Sequence, residues 1–397
     1  MKTKIIAAIV IVIIVVAAVG VGAYFLSQKD KDTEINVIAG VNLEGSGLYI
    51  KSNVDIDTMF DFSTSIPTPI ASGWEGKVFG TPGTATIQHV QLLQLVKSMG
   101  MNFSPYTGSK SDPNTVYYVP MISNASLALG NPDIDGGSLW QPQYQKIVDD
   151  SSGKFKELAL TNDLFPGHAC CVVAGDHEYT SGHENETVQF LAAYIKGVNW
   201  VNAAISAGAI DENNSDYKHL VSIAMDIAGP NFTDTEIKEA LSTVTYFYGD
   251  DSSTPLSNLG GQISNLSEQL VSLGATYGKT LTDSGFSSGS DFTDKFVDDS
   301  FLVKATQLVA EYPDGMPNVS NKENITVAVI AGDIHQIAVH VADRLGFFGE
   351  YGLNVTFALA VNGPGVATSL QNGTAPFGLL GAPPITITVI SGELLKA

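Results

Sequence analysis

Apolar residues along this chain follow two alternating periods, and that alternation predicts an α/β architecture. Short apolar runs at 37–39, 48–51, 78–79, 116–119, 138–140 and 169–173 read as strands. Ile87, Val90, Leu93 and Val96 fall on one face of a helix over 86–99, which Gly100 stops. Helical periods recur at 187–207, 234–242, 259–273 and 301–309. The Ser-, Gly- and Asp-rich stretch 283–294 reads as a loop. Strand, helix, strand order requires crossovers and therefore parallel strand pairs.

The tail carries the clearest pattern, a βαβαβ unit. Strands are predicted at 326–330, 353–358 and 377–380, with helices at 335–345 and 366–371. Asp333 is placed to cap the first of these helices, and Gln336 to complete a capping-box-like pair. The β-branched run ITITVI at 385–390 reads locally as a strand. Residues 54–72 are irregular, with two Pro, and read as a crossing between lobes.

At the other end, Ile5 to Leu26 is an unbroken uncharged run of 22 residues, about 33 Å as a helix and enough to cross a bilayer. Lys2 and Lys4 precede it, which predicts a cytoplasmic N-terminus and an external remainder. A cleaved signal segment is the alternative. The net charge of −21 argues against a nucleic-acid partner. Ten N-x-Ser/Thr sequons suit an exported surface protein. The only cysteines, Cys170 and Cys171, are adjacent, so there is no disulfide framework and no CxxC metal spacing. Exported thiols of this kind are more often inert and buried.

The tail from Ile325 to Ala397 (ITVAVIAGDIHQIAVHVADRLGFFGEYGLNVTF onward) resembles the opening third of solute-binding proteins from ABC importers. The group is the one that takes nitrate, taurine, alkanesulfonates and thiamine-pyrimidine precursors. In that family the text after the tail would read much like INVIAGVNLEGSGLYIK at 35–51, then GKVFGTPGTATIQHVQLLQLVKSMG at 76–100. The stretch FPGHACC at 165–171 resembles a family PGHPCC, with Ala169 in place of the second Pro. The resemblance covers about two thirds of the chain, 35–207 and roughly 301–397.

This resemblance implies a two-lobed, type II periplasmic-binding-protein-like α/β fold, circularly permuted, behind an N-terminal transmembrane helix. Residues 1–32 would be anchor or signal segment plus linker. Lobe 1 would hold 33–73 and 176–397, with a helical region over 187–310 and a linker over 313–324 joining the old termini; lobe 2 would hold 74–175. The family also implies a helix, not a strand, at 385–390.

In such folds ligands sit at the carboxyl ends of parallel strands, where helix N-termini offer free N–H groups. Four loops take those positions in the family's cyclic order. They supply Asp333, His335 and Gln336; Gly381, Ala382 and Pro383; Glu44, Gly45 and Ser46; and Thr84, Ala85 and Thr86. Trp140 and His168 are further candidates to touch ligand. His89 and His340 read as helix-surface residues. Arg344, the one arginine, lies at the far end of its helix, which argues against a bidentate clamp; an anion would rely on helix ends, hydroxyls and Lys51 or Lys77. The expected function is an extracytoplasmic solute-binding component, membrane-attached through its N-terminal helix and serving an ABC permease and ATPase. No catalytic residue, metal or cofactor is expected. The alternatives are a surface sensor or adhesin on the same fold and, remotely, a thiamine-pyrimidine synthase-like enzyme, whose Cys-rich motif this chain lacks.

Overall fold

The computed structural model describes residues 35–392 apart from 151, 250–256, 318, 320 and 321. The expected membrane-spanning run lies outside the described residues. Among those described, no helix is long and apolar enough to cross a membrane. The strands, in chain order, are β1 (Ile35–Glu44), β2 (Ser46–Lys51), β3 (Phe60–Asp61), β4 (Thr68–Pro69), β5 (Val78–Gly80), β6 (Asn102–Pro105) and β7 (Thr115–Val119). They continue with β8 (Gly136–Trp140), β9 (Phe155–Leu160), β10 (Ala169–Asp176), β11 (Val244–Tyr246), β12 (Glu323–Ile330), β13 (Leu353–Ala360) and β14 (Phe377–Gly381).

Two six-stranded sheets form the two lobes, in the orders β11-β1-β10-β14-β12-β13 and β6-β7-β5-β8-β2-β9. They repeat one plan. In lobe 1, β13, β12 and β14 run parallel, β10 is reversed, and β1 runs with the first three. In lobe 2, β7, β5 and β8 run parallel, β2 is reversed, and β9 runs with the first three. The reversed strand is in each case the one that follows a crossing: β1 passes into β2, and β9 into β10. β11 and β6 are extra edge strands.

The lobe change therefore falls at Gly45 and again between Thr161 and His168, correcting the expected boundaries. Residues 46–73 sit in lobe 2, because β2 is its reversed strand, and 169–175 sit in lobe 1 as most of β10. The irregular 54–72 stretch is not a crossing; it holds the two-stranded ribbon β3–β4. The stretch expected as a loop at 283–294 contains most of the helix Gly289–Phe296, capped by the Ser288 hydroxyl and anchored by buried Phe292 and Phe296. The ITITVI run is helical, within Ala382–Ser391. Propensity yields there because the helix is buried nearly all round, and branched side chains are as acceptable as any in that setting.

Helix Glu184–Ile210 lies across lobe 1, where Phe190 stacks on Phe377 with ring centroids 4.4 Å apart. Lobe 2 has its own core, in which Trp74 stacks on Phe79 at 4.9 Å. Gly197 lets the long helix touch helix Ile337–Arg344, because any Cβ there would drive into the Ala338 carbonyl. Gly197→Ala should cost about 1–3 kcal/mol in urea unfolding; an unchanged midpoint would refute that packing.

His89 and His340 are not surface residues. Each is only 6% exposed, because the short helices that carry them are covered on both sides. His89 rests on Phe103 and Tyr118, with Nδ1 3.2 Å from the Thr81 hydroxyl. His340 packs on Phe357. Burial pulls both rings down to about 4. The unfolded chain then binds more protons than the folded one between pH 6.5 and 4, so stability falls as pH drops through that window. The melting temperature should decline there, and the double variant His89→Gln, His340→Gln should flatten the decline.

Candidate functional site

The carboxyl ends of β12, β14 and β1 face those of β5 and β8 across the space between the lobes. A small cavity of about 30 Å³ lies there, room for a water or two or a single ion. Thr86, Gln88 and Trp140 line it from lobe 2, and Cys170, Cys171, Asp333, His335, Gly381 and Pro384 from lobe 1. A second cavity of about 190 Å³ adjoins it at Ile87, between helix Ile87–Ser98 and helix Ser257–Ser272. Gln91, Gln94, His168, Gln262 and Ala382 are among its walls.

The expected site residues divide accordingly. Asp333, His335, Gly381, Thr86 and Trp140 line the small cavity, and His168 and Ala382 the large one. Gly45 backs the small cavity through its carbonyl, which accepts His335 Nε2–H at 2.6 Å. Ser46 accepts the Gln88 side-chain amide at 2.9 Å. The others stand back. Gln336 is structural: its amide takes the Ile330 N–H and donates to the Leu379 carbonyl, so it does not complete a capping box. Glu44 accepts the Gly167 N–H. Ala85 packs with Val90, Leu270 and Ile387 in a small apolar cluster that joins the lobes. Thr84 is exposed, and Pro383 is buried within its helix. Neither Lys51 nor Lys77 lines either cavity; Lys51 pairs with Asp135 at 3.0 Å.

Gln88, Gln91, Cys170, Cys171 and Gly363 were not among the expected site residues. Gln88 and Gln91 sit on the predicted helix, but a buried glutamine leaves no periodic signal. The cysteines meet through a β-bulge. Asn42 of β1 pairs with Cys171 and Leu43 with Ala169, leaving Cys170 unpaired. Adjacent strand residues normally point to opposite faces; the bulge turns both sulfurs into one region, 3.8 Å apart.

His335 ties these parts together. Its Nε2 faces a carbonyl, which only accepts, so Nε2 carries a hydrogen. Its Nδ1 faces Cys170 Sγ at 3.7 Å and Asp333 Oδ1 at 3.6 Å. Asp333 Oδ1 also caps the turn by accepting the His335 backbone N–H at 2.9 Å. Burial raises the Asp333 carboxyl to about 6 against the pull of the imidazole. Burial depresses the imidazole, but Asp333 and Cys170 outweigh it and hold the ring up at about 9. A hydrogen bond from Cys171 lowers the Cys170 thiol and His335 adds to this, whereas Cys171 itself is raised. The two sulfurs, the imidazole and the Asp333 carboxyl thus share one buried space, with no lysine or arginine on the cavity walls.

Three buried polar groups at the cavities have no hydrogen-bond partner among the described residues: Trp140 Nε1, the Gln91 amide and His168 Nε2. His168 Nδ1 donates to the Phe165 carbonyl at 2.7 Å, so its orphan Nε2 is an acceptor. An indole donor, a ring acceptor and a free amide are the contacts a small polar molecule would satisfy. The helix end at Gly381 is a poor anion site, because Pro383 and Pro384 remove two of its first N–H groups.

Neither a protein-family model nor a curated protein sequence matches this chain. Two solved structures are similar to it. One is the ligand-binding component of an ABC-type import system from Staphylococcus aureus with zinc bound, at 15% identity and TM-score 0.42, over 70% of this chain and 77% of that one. The other is the periplasmic nitrate-binding protein NrtA from Synechocystis PCC 6803, at 13% identity and TM-score 0.47, over 72% of this chain and 71% of that one. At these scores the likenesses assign neither ligand nor site residues.

Gly45 has φ +84°, and a Cβ there would lie 2.5 Å from His335 Nε2. Gly45→Ala should displace His335 and lower stability by about 1–3 kcal/mol. Urea unfolding measures the loss, and a change under about 0.5 kcal/mol, the range of an ordinary surface substitution, would contradict the arrangement.

Proposed function

We propose that this chain is an extracytoplasmic solute-binding protein that closes its two lobes over a small solute. One observation carries the reading: orphan buried polar groups converge on cavities between two lobes that only two strand crossings connect. Two crossings leave the lobes free to hinge, and closure around a ligand is the motion that geometry favours. The sequence resemblance supplies the partners, an ABC permease with its ATPase, and the membrane attachment through residues 1–32.

Circular permutation belongs to the same proposal. The lobe 1 sheet takes three parallel strands from the tail and its flanking parallel strand, β1, from the front of the described chain. Reading β12, β13, β14 and then β1 into the first crossing restores the strand sequence β5, β7, β8, β9 that leads lobe 2 into the second. The lobes then match slot for slot, and that match favours permutation over a coincidental assembly.

The cavity chemistry narrows the solute. No lysine or arginine lines it, and two of the helix starts on its walls, at Gly363 and after Gly381, have lost N–H groups to proline. A neutral or cationic solute suits it better than nitrate or a sulfonate. A thermal-shift screen with pyrimidines, amines, taurine, alkanesulfonates and nitrate tests this. A solute at about 100 times its dissociation constant should add roughly 2.7 kcal/mol. Trp140→Ala and Gln91→Ala should each weaken the response. A cooperative melt that no compound raises would refute solute binding.

A further inference from the structure

We propose that Cys170 Sγ, Cys171 Sγ and His335 Nδ1 form a binding site for one thiophilic d¹⁰ metal cation, Zn²⁺ or Cu⁺, within the small cavity. This deepens the solute-binding reading and rests on it in taking the cavity as the place where the solute is held.

The three donor atoms lie within 4.8 Å of one another, and all three residues are buried. A tetrahedral metal with bonds of about 2.3 Å to sulfur and about 2.0–2.1 Å to nitrogen sets its sulfurs roughly 3.8 Å apart and sulfur from nitrogen roughly 3.6 Å. The two spacings here are 3.8 Å and 3.7 Å. The third pair, Cys171 with His335, lies within 4.8 Å.

Two further features point the same way. The bulge at Cys170 brings together two sulfurs that a regular strand would hold on opposite faces. His335 gives Nε2–H to the Gly45 carbonyl and presents Nδ1 to the sulfurs. Metal-bound imidazoles are oriented by that kind of outer hydrogen bond, which fixes the tautomer and the ring plane. Two thiolates and an imidazole select a soft or borderline cation over Mg²⁺ or Ca²⁺. Asp333 is not in the donor set; its carboxylate beside the ring adds negative charge near the ion.

On binding, the cation forms two metal–sulfur bonds and one metal–nitrogen bond. Whatever protons the two sulfurs and Nδ1 hold beforehand pass to solvent, with no change of oxidation state. Trp140 and Gln88 line the same space.

The test uses full-length protein, reduced and stripped of metal, titrated with Zn²⁺ and separately with Cu⁺ against a competing chelator. One equivalent should bind, and Co²⁺ in its place should show thiolate-to-metal charge-transfer absorption. Cys170→Ser, Cys171→Ser and His335→Gln should each weaken binding at least tenfold. Cys→Ser is nearly isosteric, and a melt of each variant checks that it folds. Absence of stoichiometric metal, or binding unchanged in all three variants, overturns the site. If metal fails while an organic solute still raises the melting temperature, only the metal site falls. If neither binds, both readings fall.

Discussion

The carbonyl of Gly45 is the point on which the cleft depends. It sits where β1 leaves lobe 1 and β2 enters lobe 2, and it accepts from both sides: His335 Nε2–H at 2.6 Å and the Gln141 N–H at 3.0 Å. A buried carbonyl held by two donors fixes the crossing strand, the imidazole and the turn after β8 relative to one another. Glycine is required because φ is positive and because the histidine occupies the space a side chain would fill. From that bond follow the direction of Nδ1, its approach to Cys170 and the charge balance with Asp333.

Both lobes reach the cleft by the same strand plan, which explains why so many unlike residues converge there. Parallel strands deliver their carboxyl ends and the following helix starts to one edge of each sheet. Two such edges face each other and enclose the cavities. Away from the hinge, Lys146 with Glu236 at 3.0 Å and Gln145 with Glu239 at 2.8 Å join the lobes at the surface. The exposed Gln145–Glu239 contact is weak, whereas Glu236 is buried and its pairing with Lys146 is the firmer of the two. Apolar contact between the lobes includes the cluster of Ala85 and Val90 with Leu270 and Ile387, and the main core also holds residues of both lobes, among them Trp140 and Ile385.

Much of this was legible in the sequence. The βαβαβ tail was, because its apolar period is strong and Asp333 and Gly346 mark the ends of its first helix. Thr86, Asp333, His335 and Gly381, which line one cavity, were named by placing loops at strand ends, and Trp140 by the resemblance of its segment. The lobe boundaries did not, because one glycine at a strand crossing carries no compositional mark, whereas the proline-bearing ribbon at 54–72 imitates a linker. The helix at 289–296 was hidden by its polar surface, although Ser288 and the pair Phe292 and Phe296 are a start signal and a buried stripe. The ITITVI helix was misread locally because β-branched residues report burial as much as strand. The meeting of Cys170 with His335 was invisible: the two are 165 positions apart, and the bulge that turns the sulfur inward leaves no trace in the residue pattern.

Solution X-ray scattering on the chain from residue 33 onward tests the central claim most directly. The radius of gyration is measured alone and with a solute or metal that raises the melting temperature. A hinged binding protein should be more extended when free and contract on binding. An identical radius in both states, with ligand bound, would contradict closure of the two lobes and leave the cavities as fixed interior voids.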